Sequence, residues 1–455
     1  MAANPAQALT ARLSADVLER RPSPLWWLTL VLAGVLAAIF ALALGAIFGW
    51  GPGWMGMNIP VAWAFPIVNT IWWIGIAHAG TFISGVLLLT RQHWRISVSR
   101  IAEAMGLFAI VLAGLFPIVH LGRPWFAYWL LPYPNTMGLW PQWRSPLVWD
   151  FFSIALYLIF TLVFLYVSLL PDLAILRDRA RRRWQRYGYG LLALGWRNSA
   201  RQWQRYQQTM LLLSALAAPI VVAATGVISL DLSVSIVPGY HFTIFPPYFV
   251  VGALYSGFSM VVLIAIVLRT ARRLDALITR GHIDRLGRLM LLFSLAVSYA
   301  YLCEIFNGWY AGEAYYWRVY ADRWAGPYAP MYWGMITCNV LLPQLLWLRG
   351  VRRSLPLMFL LALGAQLGMW LERYVIVITS THRDYLPSAW DTVWPTATDW
   401  ALLFGSLGVF IFLLALFVRL MPSLSIHEMR EATGPANGPE PAGAHPQHTA
   451  GSTRA

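Results

Sequence analysis

Ten long apolar runs alternate with short polar or basic segments along the chain. They lie at about 25–48, 60–90, 99–121, 146–170, 206–230, 242–269, 288–311, 328–348, 355–380 and 396–421. A helix needs roughly 20 apolar residues to cross a bilayer core about 30 Å thick, so each run is long enough to span a membrane. The pattern predicts an all-α integral membrane protein with ten transmembrane helices.

Arginine residues are concentrated in alternate segments between these runs. The arginine-rich segments are 12–21, 91–100, 177–205, 269–288, 349–353 and the tail, whereas the intervening connections hold at most two arginines each. Positively charged loops stay on the cytoplasmic side of a membrane, so this alternation predicts a multi-pass protein with both termini in the cytoplasm.

The composition agrees with a membrane protein and narrows the choice of partners. Apolar and aromatic residues make up 59% of the 455 residues and charged residues 11%, against about 25% charged in soluble domains. The net charge is +14, and all 33 basic residues are arginine. Because these arginines lie in short clusters between apolar runs, we interpret them as topology signals with lesser contacts to anionic lipid, and we exclude nucleic acid as a partner.

The domain organisation follows from the same runs. We expect a cytoplasmic segment at 1–24, a membrane domain at 25–421 and a disordered tail at 422–455, which is polar and rich in Pro, Gly and Ala. A weak internal repeat aligns the motif at 75–80 with that at 252–257. It predicts two parallel-repeat four-helix bundles, at about 60–230 and 242–380, with the first and last helices peripheral. Chance recurrence of small residues is the alternative explanation, because they are common in membrane bundles.

Two ionisable residues on the outer side form the first candidate site. His120 closes the third run, and Asp150 opens the fourth at the same depth. A carboxylate beside a histidine is suited to accepting protons, which the oxidation of a hydroquinone must release with its two electrons. The alternative is that both residues cap the ends of their helices.

Other ionisable residues lie within the apolar runs, where their burial is costly and suggests function. Asp231 ends the fifth run on the outer side, and the adjacent Glu372 and Arg373 lie in the ninth. Glu304 in the seventh run is a candidate partner for Arg373. His78 is either a buried histidine bonded to a neighbouring helix or a step in a proton path. The proton-path candidates are His78, Ser84, Glu103 and Glu304.

Haem, metal and cluster sites are not expected in this chain. His78 and His120 lie at different depths, so they cannot share a haem iron in a regular bundle. Cys303 and Cys338 lie inside apolar runs, and no CxxC or Cys/His cluster is present.

The outer connections at 122–145 and 308–333 are rich in Trp, Tyr and Pro. This composition is typical of an interfacial aromatic belt and also of a docking surface for an extracytoplasmic partner. The two interpretations are compatible. Arg123 and Trp125 are the candidate docking residues.

Several motifs resemble those of the NrfD-like family of polysulfide-reductase membrane subunits, and they cover about 60–180 densely. They are WWIGIAHAGT at 72–81, RQHWR at 91–95, AEAM at 102–105, HLGRPW at 120–125, PYPN at 132–135, SPLVWD at 145–150 and PDLA at 171–174. Within the family, the chain is most similar to the ten-span subunits of bacterial alternative complex III known as ActC and ActF.

The resemblance implies a respiratory role in the bacterial inner membrane. It implies a quinol (menaquinol or ubiquinol) as substrate at the outer side, with no haem or iron–sulfur cluster in this chain. By motif, the family's quinol-site residues fall on His120 and Asp150; by span position alone, two others fall near Asp231 and Arg373.

The resemblance also implies partners and a choice of roles. The partners are an extracytoplasmic iron–sulfur subunit, a multihaem cytochrome c subunit and a sister ten-span membrane subunit. The chain would be active only in the complex, with proton translocation as an accompanying hypothesis. The alternatives are a non-catalytic, scaffolding or proton-conducting sister subunit, or the membrane anchor of a polysulfide-reductase-like molybdoenzyme.

Overall fold

The computed structural model describes residues 5–62, 64–130, 143–383 and 385–432, and these residues form helices and loops without strands. The α-helices are α1 (Pro5–Leu18), α2 (Pro24–Trp50), α3 (Ala64–Leu89), α4 (Ser99–His120), α5 (Pro146–Arg179), α6 (Arg183–Leu192), α7 (Ala200–Ser233), α8 (Phe245–Arg272), α9 (Arg280–Ala311), α10 (Ala314–Ala325), α11 (Ala329–Ile336), α12 (Arg349–Arg353), α13 (Leu355–Thr381), α14 (Ala397–Leu420) and α15 (Ile426–Ala432). The predicted all-α integral membrane class is confirmed.

Within the described ranges, nine helices are long and apolar enough to cross a membrane: α2, α3, α4, α5, α7, α8, α9, α13 and α14. The predicted run at 328–348 is broken instead. After α11 comes a π-helical turn at Thr337–Leu341 and then a 3₁₀ segment at Leu342–Trp347. Pro343 lacks the N–H that an uninterrupted α-helix needs there. The count of ten spans therefore stays a prediction.

The helices form two sets. We call the set α3, α4, α5 and α7 the first half of the protein, and the set α8, α9, α11 and α13 the second half. Helix α3 is central, because it also packs against α8 and α13. Trp73 of α3 is fully buried and donates a hydrogen bond to Ser406 Oγ of α14, at 3.0 Å. The repeat relation between the halves stays a prediction.

The first and last long helices, α2 and α14, pack against each other. Small residues permit this close approach, because a Cβ atom on Gly405 would lie 2.6 Å from Phe40 Cβ and one on Gly408 would lie 2.2 Å from Leu36 Cβ. The Trp26 indole of α2 also donates to the carbonyl of Ala415, at 3.1 Å.

The two ends of the described chain meet at one face of the helix bundle. Helix α1 packs against α15, and Arg272 at the end of α8 forms a 3.0 Å ion pair with Asp16 of α1. We call this end the terminal face and the other end the opposite face.

The expectation of a disordered tail from 422 is wrong for its first residues. Helix α15 is ordered because Asp172 of α5 accepts hydrogen bonds from the backbone N–H groups of Ile426 (3.2 Å) and His427 (3.0 Å). Residues 433–455 lie outside the described part of the chain.

Candidate functional site

Two carboxyl groups meet at the opposite face between α5 and α7. Asp150 lies in the first turns of α5, Asp231 lies in the last turn of α7, and their side chains hydrogen bond to each other. An ionised carboxylate can only accept hydrogen bonds, so one carboxyl of the pair must carry a proton. The Oδ1 atom of each residue is buried and has no hydrogen-bond partner among the described residues.

His120 lies at the same face, at the last position of α4. Its ring donates a hydrogen bond to the backbone carbonyl of Pro66 in the first turn of α3. The same carbonyl accepts a 2.9 Å bond from Thr70 Oγ1. His120 is thus hydrogen-bonded to Pro66, and Asp150 is hydrogen-bonded to Asp231. We call His120, Asp150 and Asp231 the opposite-face site.

A polar stripe runs from this site along α5. Asp150 is followed by Tyr157, Thr161, Ser168 and Asp172, at intervals of seven, four, seven and four residues. These intervals keep the five side chains on one face of a helix. The last four are buried among neighbouring helices. Tyr157 and Asp172 are not among the predicted site residues, although this spacing along the chain would have identified both.

His78 lies about midway along α3 and is fully buried. Its Nδ1 lies 2.7 Å from Thr225 Oγ1 of α7, and the ring stands edge-on to Tyr157 with centroids 4.4 Å apart. Tyr157 donates to the carbonyl of Ala77 at 2.8 Å, and its hydroxyl is 2.7 Å from Thr81 Oγ1. His78 is therefore bonded to a neighbouring helix, the plainer of its two predicted environments.

Glu103 lies closer to the terminal face, where two hydroxyls donate to it. Ser84 Oγ lies 2.6 Å from one carboxylate oxygen, and Ser168 Oγ lies 2.5 Å from the other. Arg100 joins this group to the end of the α5 stripe. Its Nη2 donates to Asp172 at 2.9 Å, and its Nε is 4.0 Å from Glu103. Two of the proton-path candidates, Ser84 and Glu103, are thus in direct contact.

The remaining ionisable candidates, Arg373 and Glu304, lie in the second half. Arg373 Nη1 is 3.0 Å from Glu372 Oε1, and its guanidinium carbon lies 4.1 Å from the centroid of the Phe249 ring. Glu304 forms a 2.7 Å ion pair with Arg323 of α10. The predicted pairing of Glu304 with Arg373 is therefore wrong. Helix α10 brings Arg323 over the end of α9, and no pattern within the apolar runs indicates this.

The docking candidates Arg123 and Trp125 are exposed at the opposite face, after α4. Residues 131–142 lie outside the described ranges, and the motif at 132–135 falls among them. Within the described ranges, no three His, Cys, Asp or Glu side chains come together as a metal site.

Two comparisons with known proteins identify relatives of the chain. Residues 53–383 match the family model "Polysulphide reductase, NrfD". The chain is 24% identical over 360 residues to a Halobacterium salinarum protein whose name describes it as a putative membrane subunit of a dimethyl sulfoxide reductase, and the alignment covers 77% of each chain. The family match spans every helix from α3 to α13, and we conclude that this chain belongs to the polysulphide reductase NrfD family of redox-complex membrane subunits.

Proposed function

We propose that this chain binds and oxidises quinol at the opposite-face site, within a respiratory complex of the bacterial inner membrane. The observation that carries the proposal is the Asp150–Asp231 pair, two hydrogen-bonded carboxyls whose Oδ1 atoms are buried without partners in the described residues. Buried polar groups are normally satisfied, so orphaned acceptors at a helix junction favour a ligand that donates hydrogen bonds. The two hydroxyls of a quinol, either menaquinol or ubiquinol, are such donors.

The site has the groups that quinol oxidation requires. The reaction releases two electrons and two protons, and the protons need acceptors close to the hydroxyl oxygens. The carboxylate of the aspartate pair accepts one proton. The Pro66 carbonyl fixes the N–H on one ring nitrogen of His120, so the other nitrogen of the neutral imidazole is the basic one and accepts the second proton.

The electrons pass to an extracytoplasmic iron–sulfur subunit, which is the partner that the family resemblance implies. Arg123 and Trp125 are exposed beside the end of α4 and form part of the docking surface for that subunit. The orientation follows from the arginine distribution, with the terminal face in the cytoplasm. An ActC-like complex also contains a multihaem cytochrome c subunit and a sister ten-span subunit.

The proton path that we propose runs through the first half of the protein. His78, Ser84 and Glu103 lie between the opposite-face site and the terminal face. His78 has the Thr225 hydroxyl within hydrogen-bond distance, and Glu103 has the Ser84 hydroxyl. Arg373 and Glu304 lie in the second half with oppositely charged neighbours. We therefore do not include these two in the quinol site or in the proton path.

The test is quinol oxidation by the purified complex that carries Asp150→Asn or His120→Ala. Loss of a positioned proton acceptor lowers turnover by about 10²–10⁴-fold. The matched control is Asp391→Asn, an exposed aspartate between α13 and α14, which should leave turnover unchanged. Wild-type turnover of Asp150→Asn and His120→Ala in an intact complex would remove the site assignment.

A second candidate function is the membrane anchor of a molybdoenzyme, favoured by the name of the Halobacterium relative. In that case the chain passes electrons between quinol and a molybdenum subunit. A related alternative is a sister subunit that has no catalytic role. Metal analysis of the purified complex separates these candidates, because molybdenum indicates the anchor and several haem irons indicate the cytochrome complex. A bound quinone that is lost with Asp150→Asn excludes the non-catalytic role.

A further inference from the structure

Helix α15 covers the terminal end of the first half, and it lies outside the family match at 53–383. It packs against α1 and α5. Glu428 of α15 forms a 2.6 Å ion pair with Arg95, which lies in the 3₁₀ segment between α3 and α4. The chain after α14 therefore folds back onto the buried polar groups of α4 and α5.

His427 is the residue of α15 that reaches these groups. Its Nδ1 lies 3.0 Å from Asp172 Oδ1, and its Nε2 lies 3.0 Å from the hydroxyl of Tyr206 in α7. Ser425 Oγ is also 3.1 Å from Nδ1. The residue His427 is 5% exposed, whereas Asp172 is fully buried. His427 is thus a link between the surface and a carboxylate that has no solvent exposure of its own.

A guanidinium connects Asp172 to Glu103. Arg100 bonds to Asp172 at 2.9 Å and lies 4.0 Å from Glu103. The Arg100 side chain is only 2% exposed, and its Nη1 is buried without a hydrogen-bond partner in the described residues. A buried polar N–H of this kind is a place where an ordered water molecule can bridge neighbouring groups. A water molecule at Nη1 would complete a path between the two carboxyl groups.

We propose that His427 exchanges protons between the terminal face and the buried carboxyl groups Asp172 and Glu103. The Tyr206 hydroxyl passes its proton to Nε2 and takes up another from a hydronium ion, the proton on Nδ1 passes to Asp172 Oδ1, and the neutral ring is left as the other tautomer. Rotation of the ring or the reverse transfer restores the starting tautomer, and no other bond changes. This inference extends the proposed proton path, and it does not require quinol to be the substrate.

The charged groups around His427 come from several elements and are compatible with this role. Asp172 favours the protonated ring, Arg100 opposes it, and Glu428 lies beside His427 in an ion pair with Arg95. On the side of α1, Asp16 pairs with Arg272, and Arg12 donates to the carbonyl of Arg273. A ring that lies between a carboxylate and a phenol hydroxyl is suited to pass a proton on.

The experiment is a pH jump on the full chain in lipid nanodiscs, with infrared detection of carboxyl protonation. The variant Glu103→Gln identifies the Glu103 band, and no quinol is present, so failure of quinol oxidation does not affect the result. We expect His427→Asn to slow the appearance of this band at least tenfold. Free imidazole should restore the rate, because a small base can replace a missing proton carrier but not a missing packing contact.

Two controls separate proton exchange from packing. His93→Asn changes an exposed histidine between α3 and α4 and should leave the rate unchanged. Glu428→Gln removes the ion pair with Arg95 but keeps His427, so it should also titrate at the wild-type rate. A wild-type rate in His427→Asn, the absence of a titrating Glu103 band, or slowing that imidazole does not restore would each overturn the proposal.

Discussion

The opposite-face site and the second half of the protein differ in the partners of their buried acids. In the second half, the buried acids Glu304 and Glu372 each have an arginine beside them, Arg323 at 2.7 Å and Arg373 at 3.0 Å respectively. In the first half, Asp150 and Asp231 at the opposite face bond to each other. An arginine balances the negative charge of each acid in the second half, whereas the two aspartates share a proton.

This difference indicates which acids can take part in proton chemistry. Arginine stays protonated in proteins, so a carboxylate beside it has a permanent counter-charge that favours its ionised form. A carboxyl that bonds to another carboxyl holds a proton that can leave or return. The comparison therefore favours a structural role for the acids of the second half and a chemical role for the opposite-face site.

The strongest test of the structural role is Arg323→Ala. This substitution leaves Glu304 buried without its ion-pair partner and removes the hydrogen bonds from Arg323 to Thr379 Oγ1 and Ser380 Oγ. Breaking a buried pair in this way costs about 3–5 kcal/mol of unfolding free energy. Thermal unfolding in detergent measures the effect. The control is Arg318→Ala on the same helix, which removes an exposed stack on Trp390 and should cost about 1 kcal/mol or less; equal losses would contradict the comparison.

The contact between the halves is tested by Gly257→Ala. A Cβ atom on Gly257 of α8 would lie 1.7 Å from the Cβ of Ala79 in α3, so the two helices must move apart. Overpacking of this kind costs about 1–3 kcal/mol. Gly75 is the matched control, because its added Cβ would lie 3.7 Å from Ala253 Cα, at ordinary contact distance. Equal thermal stability of Gly257→Ala and Gly75→Ala would show that the halves do not depend on this contact.

Asp150→Asn should separate stability from activity. The amide can donate a hydrogen bond to Asp231, as the protonated acid does, so the unfolding free energy should change by about 1 kcal/mol or less. Glu304→Gln is the same chemical change in the second half, and it should cost more because Arg323 is left buried without its counter-charge. Paired melting curves measure both. A larger loss for Asp150→Asn than for Glu304→Gln would reverse the assignment of roles.

The smallest expected effect concerns His382, which follows α13 at the opposite face. Burial lowers the pKa of His382, and this effect outweighs the nearby Asp322, which raises it. The unfolded chain then binds the proton more readily than the folded protein, so stability is lost as the pH falls below about 6.5. His382→Gln should flatten this part of the curve of melting temperature against pH. An identical slope in the variant would contradict the prediction.

Local patterns in the sequence were sufficient to predict most helices and the common face of His120 and Asp150. The length of each apolar run predicts a helix without knowledge of its neighbours. His120 and Asp150 end and begin such runs, so their common face followed from chain direction alone. The π-helical turn at Thr337–Leu341 did not follow, because apolar composition does not distinguish it from an α-helix.

Partners that lie far apart in the chain could not be predicted. The bond of Asp150 with Asp231, the pair of Arg323 with Glu304 and the docking of α15 on Asp172 each depend on packing between distant segments. Composition suggested disorder after 422 because the segment is polar. The N–H groups of α15 nevertheless find a buried acceptor, which no property of the segment itself reveals.

The packing of α2 against α14 has a consequence for biosynthesis. A ribosome makes α2 before the helices α3 to α13 and makes α14 after them, so α2 lacks its main partner until all of these helices have been made. Until then the surface of α2 that packs on α14 is not covered by that helix, although the family-matched helices from α3 to α13 are already present. A chain that ends before residue 397 would lack α14 and would leave this apolar surface of α2 exposed.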